Sequence, residues 1–274
     1  MGAAGHRAAH QVLERGAIFA DPLALRILGD DAERVVREAR ENDASRRMRI
    51  FIAVRSRFAE DAAARAIADG VRQVVVLGAG LDTYACRGGY PDGVRVFELD
   101  HPATQAWKRE RLAAARIAAP DALTFAPCDF ERDQLGAALA AAGFDGAETA
   151  FFTWLGVVPY LTEDAIWSTL GYVASLAGGA QVVFDYSDPP SALPDDQRMA
   201  HDLRAARVAD IGEAWITHFD PAALHVRLRA LGFTEIEDLG PPAIAARYFP
   251  DRVGPARERG GHVVRAARFA RGLR

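Results

Sequence analysis

Lysine is all but missing from this chain: Lys108 is the only one, so nearly every positive side chain is an arginine. With the abundance of alanine, that reads as the coding bias of a GC-rich genome. Cysteine is almost as scarce. Cys86 and Cys128 are the whole complement in 274 residues, too few for a disulfide framework and without the spacing of a zinc site. Reduced thiols and a cytoplasmic location are expected, with no metal. Positive charge is not in excess either. With 33 Lys+Arg, 37 Asp+Glu and a formal net charge of -4, no global basic field draws nucleic acid or an anionic membrane. No uncharged apolar run approaches the about 20 residues that span a bilayer. The opening Met1-Gly2-Ala3-Ala4-Gly5-His6-Arg7 has no apolar core of a signal peptide. What these absences leave is a soluble protein, for which neither nucleic acid nor membrane is expected as a partner; a monomer or homodimer is the expected working form.

Half of the residues are hydrophobic, and a chain of this length buries a sizeable core unaided. Residues 1–70 read as a helical cap. Asp21-Pro22 marks a helix start, and Ile50, Val54 and Phe58 recur every fourth residue in a helix from about 45 to 68. The period then changes. Gln73-Val74-Val75-Val76-Leu77 suits a strand buried on both faces, and further strands are expected at 94–99, 123–126, 150–154 and 181–186. Helices at about 103–117, 132–142 and 163–177 separate them, the last behind Thr162 as a cap. Such alternation predicts an α/β fold with a Rossmann-like, mostly parallel sheet. Near the end, Asp220-Pro221 starts a helix with Leu224, Leu228 and Leu231 as its stripe. Strands at 233–239 and 262–270 then close the sheet antiparallel, joined by a Pro- and Arg-rich loop. Residues 71–274 therefore form the core, with a lid-like insertion near 187–220 that opens at Pro189, Pro190 and Pro194.

The sharpest feature is the strand-to-glycine junction Leu77-Gly78-Ala79-Gly80-Leu81-Asp82. Glycines after a first strand let the backbone turn tightly and a ligand come close. The second strand ends Phe97-Glu98-Leu99-Asp100, where an acid can accept hydrogen bonds from both ribose hydroxyls of an adenosine. Dinucleotides and S-adenosylmethionine both use that geometry. A pyrophosphate asks for Gly-x-Gly-x-x-Gly and a free helix N-terminus, but position 83 is Thr and Asp82 adds negative charge where phosphates would lie. The ammonium and sulfonium of S-adenosylmethionine tolerate that acid, so the junction favours the methyl donor. The third strand ends Pro127-Cys128-Asp129-Phe130, where Asp129 could meet the adenine amino group and Phe130 cover the ring. Each acid alone also reads as a loop cap or a surface charge.

At these residues the sequence resembles the leucine carboxyl methyltransferase family, and in particular its bacterial branch with natural-product O-methyltransferases. The resemblance runs through Phe19-Ala20-Asp21-Pro22-Leu23-Ala24, Ala53-Val54-Arg55-Ser56-Arg57-Phe58-Ala59-Glu60-Asp61, the run from Gln73 to Thr83, and Phe97 to Pro102. It continues at Lys108, Asp129, Trp154 to Thr162, and Arg247-Tyr248-Phe249. It implies that Arg55 meets the methionine carboxylate, that Gly78, Ala79 and Gly80 with Asp82 line the donor, that Asp100 holds the ribose, and that Asp129 and Phe130 hold the adenine. By periodicity alone Arg55 would be a solvated helix charge. The sequence departs from the family at Leu155, where the eukaryotic enzymes have an acid, and at Tyr84 and Cys86, where the bacterial branch often has Arg and an aromatic residue. Loss of the acid removes one contact to the donor's ammonium and speaks against methylation of protein C-termini.

A sulfonium methyl is transferred by in-line displacement, which proximity and a dry pocket accelerate. A carboxylate acceptor needs no base, whereas a phenol benefits from one. No residue claims the role of base. Tyr160, Arg247 and Tyr248 are candidates for the substrate wall, since arginine can grip a carboxylate, and His218, placed near His225, is another. Trp154, Tyr186 and Trp215 are aromatic lining candidates with an equally good claim to ordinary packing. The favoured reading is an O-methyltransferase for a small carboxylate or phenol in secondary metabolism. A nicotinamide-dependent oxidoreductase and a nucleoside-binding module without methyl transfer are the alternatives.

Overall fold

The run Gln-Val-Val-Val-Leu forms strand β1 (Gln73–Leu77), and all five of its residues are buried. A strand covered on both faces needs no polar alternation. Val74 and Val76 enter one apolar cluster with Val54, Phe58 and Ala62. Val75 and Leu77 enter another with Leu139, Ile166 and Leu170. The sheet thus separates two cores. The computed structural model describes residues 2–42, 45–209, 214–251 and 253–270. Parallel to β1 run β2 (Arg95–Asp100), β3 (Leu123–Pro127), β4 (Ala150–Trp154) and β5 (Gly179–Ser187). With β6 (Glu235–Leu239) and β7 (Gly261–Phe269) they make a seven-stranded sheet in the order β3-β2-β1-β4-β5-β7-β6.

The expected Rossmann-like sheet with an antiparallel C-terminal strand is what forms. β7 is that strand, lying between β5 and the edge strand β6 and antiparallel to both. The chain moves outward from β1 through β2 to β3, then returns to β4 on the far side of β1. That reversal opens a crevice above the C-terminal ends of β1 and β4, where ligands bind in open α/β sheets.

Among the described residues, four helices precede the sheet: α1 (Gly2–Leu13), α2 (Ala24–Leu28), α3 (Asp31–Glu41) and α4 (Arg46–Ala68). Val54, Phe58, Ala62 and Ala66 recur every fourth residue along α4 and are all buried, so one face of α4 joins the sheet's own core. Burying Val54 or Phe58 is worth about 1.5–3 kcal/mol each, and Phe58→Asp would set an unpaired charge there. The remaining cap rests on the loop after β1: Leu81 packs with Ala4, Ala8, Ile27, Leu28 and Leu112. Asp21 accepts from the Leu23 amide at 3.0 Å, but α2 begins only at Ala24 and the rest of this carboxylate serves the site.

The sheet is covered by α5 (Tyr84–Arg87), α6 (Pro102–Ala114), α7 (Leu135–Ala141), α8 (Glu163–Ser175) and α10 (Pro221–Ala230), with α9 (Asp195–Ala209) in the insertion. Two caps form where the residue types called for them. The Thr162 hydroxyl accepts from the Ala165 amide at 3.3 Å, and the Asp220 carboxylate accepts from the Ala223 amide at 3.0 Å ahead of Pro221. The segment between β6 and β7 differs from the plain loop expected. It begins with α11 (Pro241–Tyr248), whose Pro241 suits a first helical turn and whose Ile244 is buried. In the 187–220 insertion, a 3-10 turn at Pro190–Ala192 precedes α9; residues 210–213 lie outside the described residues.

Candidate functional site

Five parallel strands deliver five groups of residues to one edge of the sheet: Gly78–Asp82 after β1, Asp100 at the end of β2, Asp129 and Phe130 after β3, Leu155–Gly156 after β4, and Asp185 near the end of β5. The β1 turn is closed on β2. Leu99 O accepts from the Gly78 amide at 2.8 Å and the Ala79 amide at 3.1 Å, and Asp100 Oδ2 accepts from the Gly80 amide at 2.5 Å. Asp100 Oδ1 accepts from the His101 amide at 2.7 Å. A carboxylate has about four acceptor positions, so both oxygens of Asp100 keep capacity for a further donor. Burial pushes its carboxyl above the usual range, against the pull of the two amides.

Two glycines are demanded by different things. Gly78 has φ +64, and a Cβ there would lie 2.3 Å from a Val157 methyl; the β1 and β4 turns meet too closely for a side chain. Gly80 has φ +45, yet a Cβ on it would meet nothing among the described residues within 4 Å. The turn therefore faces open space, as a cradle for a ligand must. Asp82 Oδ1 accepts from the Tyr84 amide at 2.7 Å. Burial would raise this carboxyl, but Arg7, Lys108 and Arg87 outweigh it and hold it below the usual range.

Arg55 is no solvated helix charge. Its side chain is 9% exposed, and its Nη1 donates to Asp185 Oδ2 at 2.6 Å. Asp185 Oδ1 accepts from the Gly156 amide, also at 2.6 Å. Among the described residues, Arg55 Nε is buried without a hydrogen-bond partner. His6 of α1 faces this charge; burial first, then Arg49 and Arg55, push its imidazole down to about 4. Asp129 sits in a local turn, Oδ1 accepting from the Glu131 amide at 3.0 Å, and Phe130 packs on Trp154 at 6.3 Å between ring centroids. Trp154 and Tyr186 are core residues, 0% and 2% exposed, although Trp154 Nε1 is also buried without a partner among the described residues.

Composition and spacing gave no sign of the network beneath the turn. Arg7 Nη2 donates to Leu81 O at 2.6 Å and its Nε to Asp21 Oδ2 at 3.2 Å. The same Asp21 oxygen accepts from the Thr83 hydroxyl at 2.8 Å. Arg87 Nε donates to Thr83 Oγ1 at 3.0 Å, and its guanidinium pairs with both oxygens of Glu60. Helices α1 and α4 and the segment before α2 are thereby tied to the glycine turn.

The substrate-wall candidates are not gathered with these groups. Arg247 Nη2 donates to Glu237 at 2.6 Å and its guanidinium lies 5.6 Å from the Phe58 ring. Tyr248, beside Arg247, feels Asp61 and Arg57, on the flank of α4. His218 is not beside His225. Its Nε2 lies 3.3 Å from His201 Nε2, and His201 packs on Trp215 at 5.5 Å. His225 instead reaches Asp238 at 2.8 Å. The neighbouring Ile216 and Thr217 amides donate to Pro159 O, which sets His218 close to the Val158–Tyr160 turn that carries Tyr160. Burial first, then His201, pushes the His218 imidazole below its ordinary value. Among the described residues, no cluster of three His, Cys, Asp or Glu could hold a metal, and no helix is long and apolar enough to cross a membrane.

The sheet order and the ligand crevice at its reversal define a class I methyltransferase fold. A crystal structure described as "a putative methyltransferase from Thermobifida fusca YX" superposes with a TM-score of 0.58 at 18% identity, over 97% of this chain and 94% of that one. That likeness concerns the fold alone. Residues 1–174, more than half of the chain, match the family described as Leucine carboxyl methyltransferase. The chain belongs to the leucine carboxyl methyltransferase family. A Bacillus subtilis relative, "Putative S-adenosyl-L-methionine-dependent methyltransferase YktD", is 34% identical over 189 residues, 67% of this chain and 60% of that protein. A Frankia alni protein of the same description is 37% identical over 166 residues, 58% of each. The matched stretch thus spans less than two thirds of either relative.

Proposed function

We propose that this protein is an S-adenosylmethionine-dependent O-methyltransferase that acts on a carboxylate or phenolic hydroxyl of a small molecule, of the kind made in secondary metabolism. The observation that carries the choice of donor is the fate of the amides around the glycine turn. Gly78, Ala79, Gly80, Asp82 and Tyr84 all spend their N–H groups on the protein itself. A pyrophosphate, which asks for such amides free at a helix N-terminus, finds few of them, and it finds the Asp82 carboxylate. A nucleoside carrying an amino acid asks for other things: an acceptor for the ribose, a close backbone, and a cation for the carboxylate. Asp100 with spare acceptor capacity, the open side of Gly80, and the unpartnered Nε of Arg55 fit that list.

When bound, the donor supplies an electrophilic methyl group on a sulfonium. Arg55 would hold the donor's carboxylate, Asp100 the two ribose hydroxyls, Asp129 and Phe130 the adenine. The α1–α3 cap packs on Leu81 beside the crevice, and a site that such a cap dries would strengthen each of these contacts. Burial favours the uncharged form of the His218 imidazole, the form that would take a proton from a phenolic acceptor brought to it, and a carboxylate acceptor needs no such help. The test offers the protein a tritium-labelled methyl donor with panels of carboxylic acids and phenols. Label is expected in organic-soluble esters, which mild base cleaves, or in aryl ethers, which it does not. Label on nitrogen, on protein or on nucleic acid would overturn the assignment.

A further inference from the structure

Asp185 is an anomaly in its strand. It follows Gln181-Val182-Val183-Phe184, is itself 3% exposed, and no periodic pattern asks for an acid there. The cross-strand pair Trp154↔Phe184 sets it level with Leu155, the position where the acid of the β4 motif is missing. Its two oxygens do two jobs: one receives the Arg55 guanidinium, the other the Gly156 amide, both at 2.6 Å. Gly156 has φ +71, and a Cβ there would stand 2.5 Å from Arg55 Nη2. The guanidinium therefore lies close against the bare Cα of the turn that Asp185 holds. The Phe51 ring stands 6.0 Å from it, packed in turn against Gly261, where a Cβ would be 2.8 Å from that ring. Every one of these contacts limits where Arg55 can point.

A buried ion pair is a poor way to gain stability, because desolvation offsets most of the Coulomb attraction. This one also leaves donors unused, since a guanidinium has five N–H groups and Nε has no partner among the described residues. Both features suit a cation held ready for a second anion. Resting on the methyl-donor reading of the site, we infer that Asp185 is a positioning residue: it aims Arg55 at the carboxylate of the donor's amino-acid end and locks the Gly156 turn beside it. The acid that the β4 motif lacks is thus replaced in space, from β5, by one that acts through Arg55.

The test compares two nucleosides by calorimetry. S-adenosylhomocysteine carries the amino-acid end; 5′-methylthioadenosine lacks it. Asp185→Asn keeps an oxygen for the Gly156 amide and removes the charge that holds Arg55. It is expected to weaken S-adenosylhomocysteine about tenfold or more, as one charge-assisted bond is lost, and to leave 5′-methylthioadenosine within about twofold. In Arg55→Gln the effect should be spent: adding Asp185→Asn to it changes S-adenosylhomocysteine binding little further. Gly156→Ala, which pushes the guanidinium aside from the other direction, should give the same selective loss and serves if Asp185→Asn does not fold. Equal weakening of both nucleosides would reduce Asp185 to a structural role and overturn the inference, as would unchanged binding of S-adenosylhomocysteine. Wild-type protein that binds neither nucleoside would instead remove the donor reading itself.

Discussion

Replacing Gly78 by alanine tests whether the two turns that frame the crevice are as tightly joined as their geometry requires. At φ +64 an alanine pays a torsional penalty of about 1–2 kcal/mol. Its Cβ would also lie 2.3 Å from Val157 Cγ2, whereas carbon atoms rest at about 3.5–4.0 Å. The β4 turn must retreat, and overpacking of that kind costs about 1–3 kcal/mol. Together the loss is about 2–5 kcal/mol, or roughly 5–15 °C in Tm for a domain of this size. Urea unfolding followed by circular dichroism measures it. Val157→Ala in the same chain removes the offending methyl and leaves the nearest remaining Val157 atom, its Cβ, at 3.4 Å. Scored against Val157→Ala alone, it should recover the steric share and leave the torsional one. A loss below about 0.5 kcal/mol for Gly78→Ala, or no recovery with Val157→Ala, would refute the close-approach argument.

Asp238→Ala should cost about 2–4 kcal/mol at pH 7, because Asp238 accepts from Tyr186 at 2.5 Å, His225 at 2.8 Å and His262 at 3.0 Å, and buried partners would be left unsatisfied. Burial would raise this carboxyl, but those three partners hold it below its ordinary 3.8. Being depressed in the folded state, it contributes stability above about pH 4 and loses it as pH falls through the lower folded value. The difference between wild type and variant in urea melts should accordingly be flat from pH 7 to about 4 and shrink below; a difference that shrinks above pH 5 would contradict it. The thiols should be nearly inert in the native protein, since burial pushes Cys128 up to about 11 and raises Cys86 as well. At pH 8 a thiol-exchange reagent should label Cys128 only on unfolding, because about one in a thousand is thiolate; rapid native labelling would show the burial to be wrong.

Much of the core was legible because each central strand is covered on both faces. Val74-Val75-Val76 and Phe151-Phe152 leave little choice but a buried parallel sheet. Caps such as Thr162 and Asp220 were legible because they act within three residues of themselves. The site divided along the same line. Asp100 could be found from its place at a strand end, since its partner Gly80 lies on the neighbouring strand's turn. Arg7, Asp21 and Thr83 could not, because they meet only after three distant segments fold together. His218 was misplaced for the same reason: it and His225 lie on either side of the Asp220 cap, so one turns to His201 and the other to Asp238. Asp185 did leave a signal, an acid interrupting Val182-Val183-Phe184, but only Arg55 from α4 explains it. Helix α11 was missed because Pro241-Pro242 reads as loop until Ile244 is seen to be buried.

Calorimetric titration with S-adenosylmethionine and S-adenosylhomocysteine, with NADH and NADPH as controls, tests the central claim most directly. Saturable micromolar binding of the two sulfur nucleosides is expected, lost in Asp100→Ala and absent for the nicotinamide nucleotides. Clean binding of NADH or NADPH, or sulfur-nucleoside binding that ignores Asp100→Ala, would contradict it.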